Sequence, residues 1–236
     1  MKNGFSRDAL REVEQYAAGD YLRDLMRGER DAAAVERISA RVAAYTGLDP
    51  ALVKRMAGRV DMGTFEREFA RKEGRVLSAY DVTVTGLNPS PSAANPRYSD
   101  PILEGLSAPL TSAMTDLYQR VLGWRMEEPY RLLNSEVGSH WDYGRGRSAP
   151  QVVDDIRNFL ALDPKTRILV AQGATDLVTP YFENQLILEQ LPVLGSADRV
   201  KFALYGGGHM FYVREQSRHA FTLDAKAFFQ RAAASQ

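Results

Sequence analysis

Cysteine is absent from the chain, so neither disulfides nor thiolate chemistry can contribute to its fold or activity. Net charge is absent as well. Thirty basic residues cancel thirty acidic ones, and no bulk attraction to nucleic acid or to anionic lipid is expected. No apolar run approaches the ~20 residues that a membrane span needs. Residues 1–8 have no apolar stretch of the secretory kind, which reads as cytoplasmic by default, or as exported if the chain belongs to a longer precursor. Histidine is scarce: His140, His209 and His219 stand far apart, with no H-E-x-x-H and no clustered carboxylates, so no metal site and no other cofactor is expected. These scarcities leave a globular chain of 236 residues, 44% apolar, long enough to bury a real core as one large domain or two small ones.

The first seventy-odd residues carry helical spacing. Leu10, Val13, Ala17, Tyr21 and Leu25 share one face, and Ala34, Ile38, Val42 and Tyr45 share another. Gly47 fits a helix end, Asp49-Pro50 fits an N-cap followed by a first-turn proline, and Phe65 and Phe69 mark a further short helix. Residues 76–85, with Val76, Leu77, Tyr80, Val82 and Val84, read as extended. Residues 88–96 form a Pro-, Ser- and Asn-rich loop, longer than common connections and expected to be a lid, a surface excursion or a linker. A helix through Leu110, Met114, Leu117 and Val121 follows, with Ser107 expected as its cap and Pro109 in its first turn. Trp124, Tyr130, Trp141 and Tyr143 lie in an irregular stretch and are expected to close a core.

Composition changes at Pro150. A helix bearing Val152, Val153, Ile156, Phe159 and Leu160 stops at Asp163-Pro164. Residues 168–172 are a continuous apolar run of strand length, as expected of a strand buried on both faces. A helix with Phe182, Leu186, Ile187 and Leu191 crosses over to a second strand at 200–205, and a last helix with Phe221, Ala225, Phe228 and Phe229 packs back on the sheet. The pattern is a βαβ unit followed by a helix, with parallel strands.

Open α/β sheets place their chemistry at the carboxyl ends of the strands. Asp176 lies four residues after the first strand and His209 four after the second, the latter in Gly206-Gly207-Gly208-His209-Met210. Parallel neighbours are ~5 Å apart, so both loops open on one edge. An aspartate there can accept the Nδ1 proton of the histidine, fix its tautomer and stabilise the imidazolium. Alone, Asp176 would read as a turn former and His209 as an incidental loop residue; together, on two loops of one βαβ unit, they read as an acid–base pair. A nucleophile is harder to find. The nearest match to a G-x-S-x-G elbow, Gly105-Leu106-Ser107-Ala108-Pro109, lacks the last glycine and a preceding strand, so Ser107 is not expected to be one.

Gln172-Gly173-Ala174-Thr175-Asp176-Leu177-Val178-Thr179-Pro180, taken with Gly207-Gly208-His209-Met210, resembles the end of a serine carboxypeptidase, especially the bacterial members of that family. Residues 58–65 and 73–75 are similar to the helical insertion of those proteins. The resemblance implies the C-terminal portion of an α/β-hydrolase fold at 151–236, preceded by a mostly helical cap at 1–150. It further implies removal of C-terminal residues from peptides through an acyl-enzyme, with Asp176 as the acid and His209 as the base of the triad. Met210 would border the pocket of the leaving residue. The family's central strands, serine elbow and oxyanion hole have no counterpart in these residues.

Two functions compete. One is half of a peptide hydrolase, inactive until a nucleophile-bearing half completes it, with a peptide as substrate. The other is a non-catalytic interaction module in which the acid and base loops survive as structure. On either reading an exposed sheet edge predicts self-association or a partner chain. Another hydrolase type on the same superfold is a third and weaker expectation.

Overall fold

The structure, a computed structural model, describes residues 6–94, 97–125, 127–142 and 151–234. Tyr143, residues 95–96 of the Pro-rich loop and the composition change at Pro150 lie outside the described residues.

The chain opens with helices, as their apolar spacing demands. A 3-10 turn leads into α1 (Arg11–Tyr16), a π-helical turn (Ala17–Tyr21) and α2 (Leu22–Arg27). After it come α3 (Ala32–Thr46), α4 (Pro50–Arg55) and α5 (Met62–Glu68). Each of the last three starts on an aspartate whose carboxylate accepts a first-turn amide: Asp31 from Ala34, Asp49 from Ala51 and Asp61 from Thr64. Gly47 ends α3 in the left-handed region. The interior of this bundle is apolar: Ala43, Leu48 and Val53 are buried, with Val42, Val60 and Phe65 packed around them. The Asp24 carboxylate, buried between α2 and α3, is held by both arms of the Arg37 guanidinium at 2.9 and 2.7 Å.

The extended stretch at 76–85 turns out to be a hairpin. β1 (Arg75–Leu77) and β2 (Thr85–Leu87) pair antiparallel, Val76 opposite Gly86, and residues 78–84 loop back between them. The reason is side-chain competition for the backbone. Ser78 Oγ accepts the amides of Tyr80 and Asp81, and Asp81 Oδ1 accepts that of Thr83, so the chain folds into turns where a strand would need those amides.

α6 (Pro101–Asp116) starts six residues earlier than Ser107 and continues into a π-helical turn (Leu117–Val121). Asp100 caps it, accepting Ile102 and Leu103 amides, and Pro101 takes the first helical position. The expectation for Ser107 and Pro109 is thereby corrected: both are inside the helix, and Ser107 Oγ donates to the Leu103 carbonyl one turn back. Among the described residues of the stretch that follows, the regular element is the short α7 (Ser135–His140). Its tryptophans do not close a core; Trp124 is 58% and Trp141 64% exposed.

α8 (Val153–Leu162), β3 (Ile168–Gly173), α9 (Tyr181–Glu189), β4 (Val200–Tyr205) and α10 (Glu215–Ala234) complete the fold. β3 and β4 pair in parallel, from Ile168 opposite Val200 to Gly173 opposite Tyr205. This is the mixed helix-and-sheet class expected, although both sheets among the described residues have two strands. One expectation fails: β3 is half-buried along most of its length, not enclosed on both faces, because the apolar run has one parallel neighbour and partial helical cover. α10 is fastened to β4 by Asp224, which receives Lys201 Nζ at 2.8 Å and the Tyr205 hydroxyl at 2.7 Å.

Candidate functional site

Three loops meet at the carboxyl ends of β3 and β4. The acid loop leaves Gly173, the base loop leaves Tyr205, and the 78–84 turn of the hairpin docks against both. Main-chain bonds knit them together: Leu177 N donates to Ala79 O, Val82 N to Thr175 O, Thr175 N to Gly207 O and His209 N to Tyr80 O, the last at 2.7 Å. Glycine is dictated by this packing at two positions. A Cβ on Gly208 would lie 1.8 Å from the Tyr80 carbonyl oxygen, and one on Gly173 would lie 2.0 Å from that of Gly208. The glycine run is therefore a consequence of three backbones in contact, as well as of a sharp turn.

Within this junction Asp176 and His209 meet. Asp176 Oδ2 lies 2.9 Å from His209 Nδ1. The carboxylate is buried and well supplied with donors: Oδ1 accepts the amides of Val178 at 2.7 Å and Thr179 at 3.1 Å, and Oδ2 accepts the Thr179 hydroxyl at 2.8 Å. Since Asp176 can only accept, Nδ1 carries the hydrogen. Thr179 Oγ1, whose own proton goes to Asp176, stands 3.4 Å from the same nitrogen. All hydrogen bonds of the ring among the described residues fall on Nδ1, so Nε2 is without a hydrogen-bond partner among them, on a side chain 37% exposed. The Tyr80 ring meets the imidazole edge to face, centroids 5.2 Å apart.

Met210 lines a cleft of about 400 Å³. Its neighbours there include Val84, Ile102, Leu106, Val213 and Arg214, so the hairpin, α6 and the base loop all contribute a wall. Ser107, one residue beyond Leu106, sits inside α6, six residues after its start, with its hydroxyl committed to the helix backbone. His140 and His219 belong to other elements: His140 ends α7 and His219 is in α10.

Sequence reasoning missed the residue that organises the junction. Asp81, read as part of an extended run, is 5% exposed and accepts five hydrogen bonds. Thr83 gives its amide at 3.0 Å and its hydroxyl at 2.7 Å, Thr175 its hydroxyl at 2.8 Å, Gly208 its amide at 3.2 Å and Arg214 a guanidinium nitrogen at 2.6 Å. Burial acts to push its carboxyl up, but the Thr83 and Thr175 bonds and the Arg214 charge outweigh this and hold it below the usual range. The available signal was Asp81-Val82-Thr83, an Asx-type turn pattern inside a run of strand formers.

Comparisons with protein-family models, with curated proteins and with solved structures return no match.

Proposed function

We propose that this chain carries the base and the orienting acid of a serine carboxypeptidase-type hydrolase, on the C-terminal portion of an α/β-hydrolase fold, with the nucleophilic serine supplied by another polypeptide segment. One observation carries the reading: at the carboxyl edge of two parallel strands, a buried, donor-saturated carboxylate holds one nitrogen of an imidazole whose other nitrogen has no hydrogen-bond partner among the described residues. His209 Nε2 would take the proton of the serine as its oxygen attacks a peptide carbonyl, while Asp176 stabilises the imidazolium. The same proton then passes to the leaving amine, and water repeats the cycle on the acyl-enzyme. The cleft beside Met210 is the place for the departing C-terminal residue.

The test is covalent labelling by a serine-directed fluorophosphonate. The purified chain alone is expected to remain unlabelled. Joined to a segment bearing a G-x-S-x-G elbow, which the reading frame upstream of Met1 is the first place to seek, it should be labelled and should release the C-terminal residue of an N-blocked dipeptide. His209→Ala should abolish both. Labelling of Ser107 in the isolated chain would overturn the assignment of the nucleophile to another segment.

A second reading, an interaction module, draws on the half-buried parallel pair and on the exposure of Phe159 and Leu162 on α8 and of Val193 after α9. It predicts a complex by size-exclusion mass with no labelled serine in any component.

A further inference from the structure

The base loop has little of its own to hold it. Gly206, Gly207 and Gly208 carry no side chains, and Gly207 sits at φ +125°. Its far side is anchored by aromatic stacking, Phe211 lying 4.9 Å from the Tyr205 ring, and by Ser217 Oγ donating to Gly206 O. Its near side is tied to the acid loop by the main-chain bonds from Ala174 N to Tyr205 O and from Thr175 N to Gly207 O, and by one carboxylate from a different part of the chain.

We infer that Asp81 and Arg214 form a positioning pair that holds the His209 loop in register with the Asp176 loop. The inference rests on the acid–base reading above. Three observations support it. Asp81 Oδ2 bridges the two ends of the segment that contains His209, accepting Gly208 N at 3.2 Å before it and Arg214 Nη2 at 2.6 Å after it. Asp81 Oδ1 simultaneously accepts Thr175 Oγ1 at 2.8 Å, one residue before Asp176, so a single carboxyl group touches both loops. Arg214 Nη2 also donates to Thr83 Oγ1 at 2.9 Å, which locks the guanidinium to the same turn. The neighbouring Tyr80 carbonyl, bonded to His209 N, then moves with Asp81 as one rigid turn. Displacing this turn by an ångström would take Nδ1 out of reach of Oδ2, since that bond depends on how two separate loops are aligned.

Both side chains also line the cleft beside Met210, a place separate from their hold on the loop. Both act through His209, so the readout has to be a property of that ring. Proton and nitrogen NMR of the chain reports the hydrogen-bonded Nδ1–H of His209 as a far-downfield resonance, and Asp176→Asn calibrates its loss. Arg214→Gln and Asp81→Asn should each lose or shift that resonance and the Gly208 amide peak, while circular dichroism stays native. Arg214→Lys, which keeps the charge on a shorter side chain and so reaches Asp81 and Thr83 less well, should restore it in part. If Asp81→Asn fails to fold, Thr175→Val removes one hydroxyl from the same carboxylate and should move the resonance less, in the same direction. Folded Arg214→Gln and Thr175→Val variants with an unchanged His209 signal overturn the positioning role and leave the acid–base pair standing. A wild-type chain without the resonance instead sinks the acid–base reading itself.

Discussion

The helical region and the parallel pair are built on different principles. Around α3, α4 and β1 the interior is closed: Val53, Val76, Leu77 and Ser78 are almost wholly removed from solvent. In β3 and β4 most positions are half-buried, and full burial is confined to Gly173, Ala203 and Tyr205. Yet the chemistry-bearing side chains stand on the second region. Packing alone cannot define their positions there, and hydrogen bonds from the hairpin turn do so instead. The contrast separates two sources of order, apolar closure in one region and a satisfied polar junction in the other.

The sharpest way to break that contrast is to remove the carboxylate at the junction. Asp81→Ala leaves the buried Gly208 amide and the Thr175 hydroxyl without their acceptor, at about 1–3 kcal/mol for each unsatisfied group, and takes the partner from the half-exposed Arg214. Urea denaturation should show this loss. In the closed region, Leu77→Ala should cost about 2–5 kcal/mol by cavity formation, whereas Leu169→Ala on half-buried β3 should cost about half as much. Equal losses at the two leucines would erase the distinction.

Acid should act on the junction before it acts on apolar packing. Because the Asp81 carboxyl is held below its ordinary pKa in the folded chain, its contribution is complete above the unfolded value of about 3.9. It is lost as pH falls from there through the depressed native value. Thermal midpoints measured on that acid limb should fall less steeply in Asp81→Asn than in the wild type. The smallest effect expected is at a helix start: Asp49→Ala removes the cap on Ala51 and should cost about 1 kcal/mol by thermal unfolding, with the His209 resonance untouched.

Much of the element order was legible. The strand at 200–205, the helix stop at Asp163, the Asp49-Pro50 cap and the Gly47 terminus all follow from local chemistry, and all are present. The meeting of Asp176 and His209 was legible too, because strand ends and loop lengths alone bring them to one edge. Elsewhere propensity misled. Val82 and Val84 favour a strand, but Ser78 and Asp81 take the amides that a strand would use. Ser107 has a cap-forming side chain, but Asp100-Pro101 starts the helix first and leaves its hydroxyl inside.

By itself the sequence determined the helices, the two parallel strands and the residue types able to exchange a proton, because each depends on neighbours a few positions apart. The tertiary structure alone decided that Asp81, ninety-four positions before Thr175 in the chain, would complete the junction. It decided also that Gly208 must be glycine because another backbone occupies the space of its side chain. Such contacts are set by the docking of whole loops, and no local pattern of apolar and polar residues encodes them.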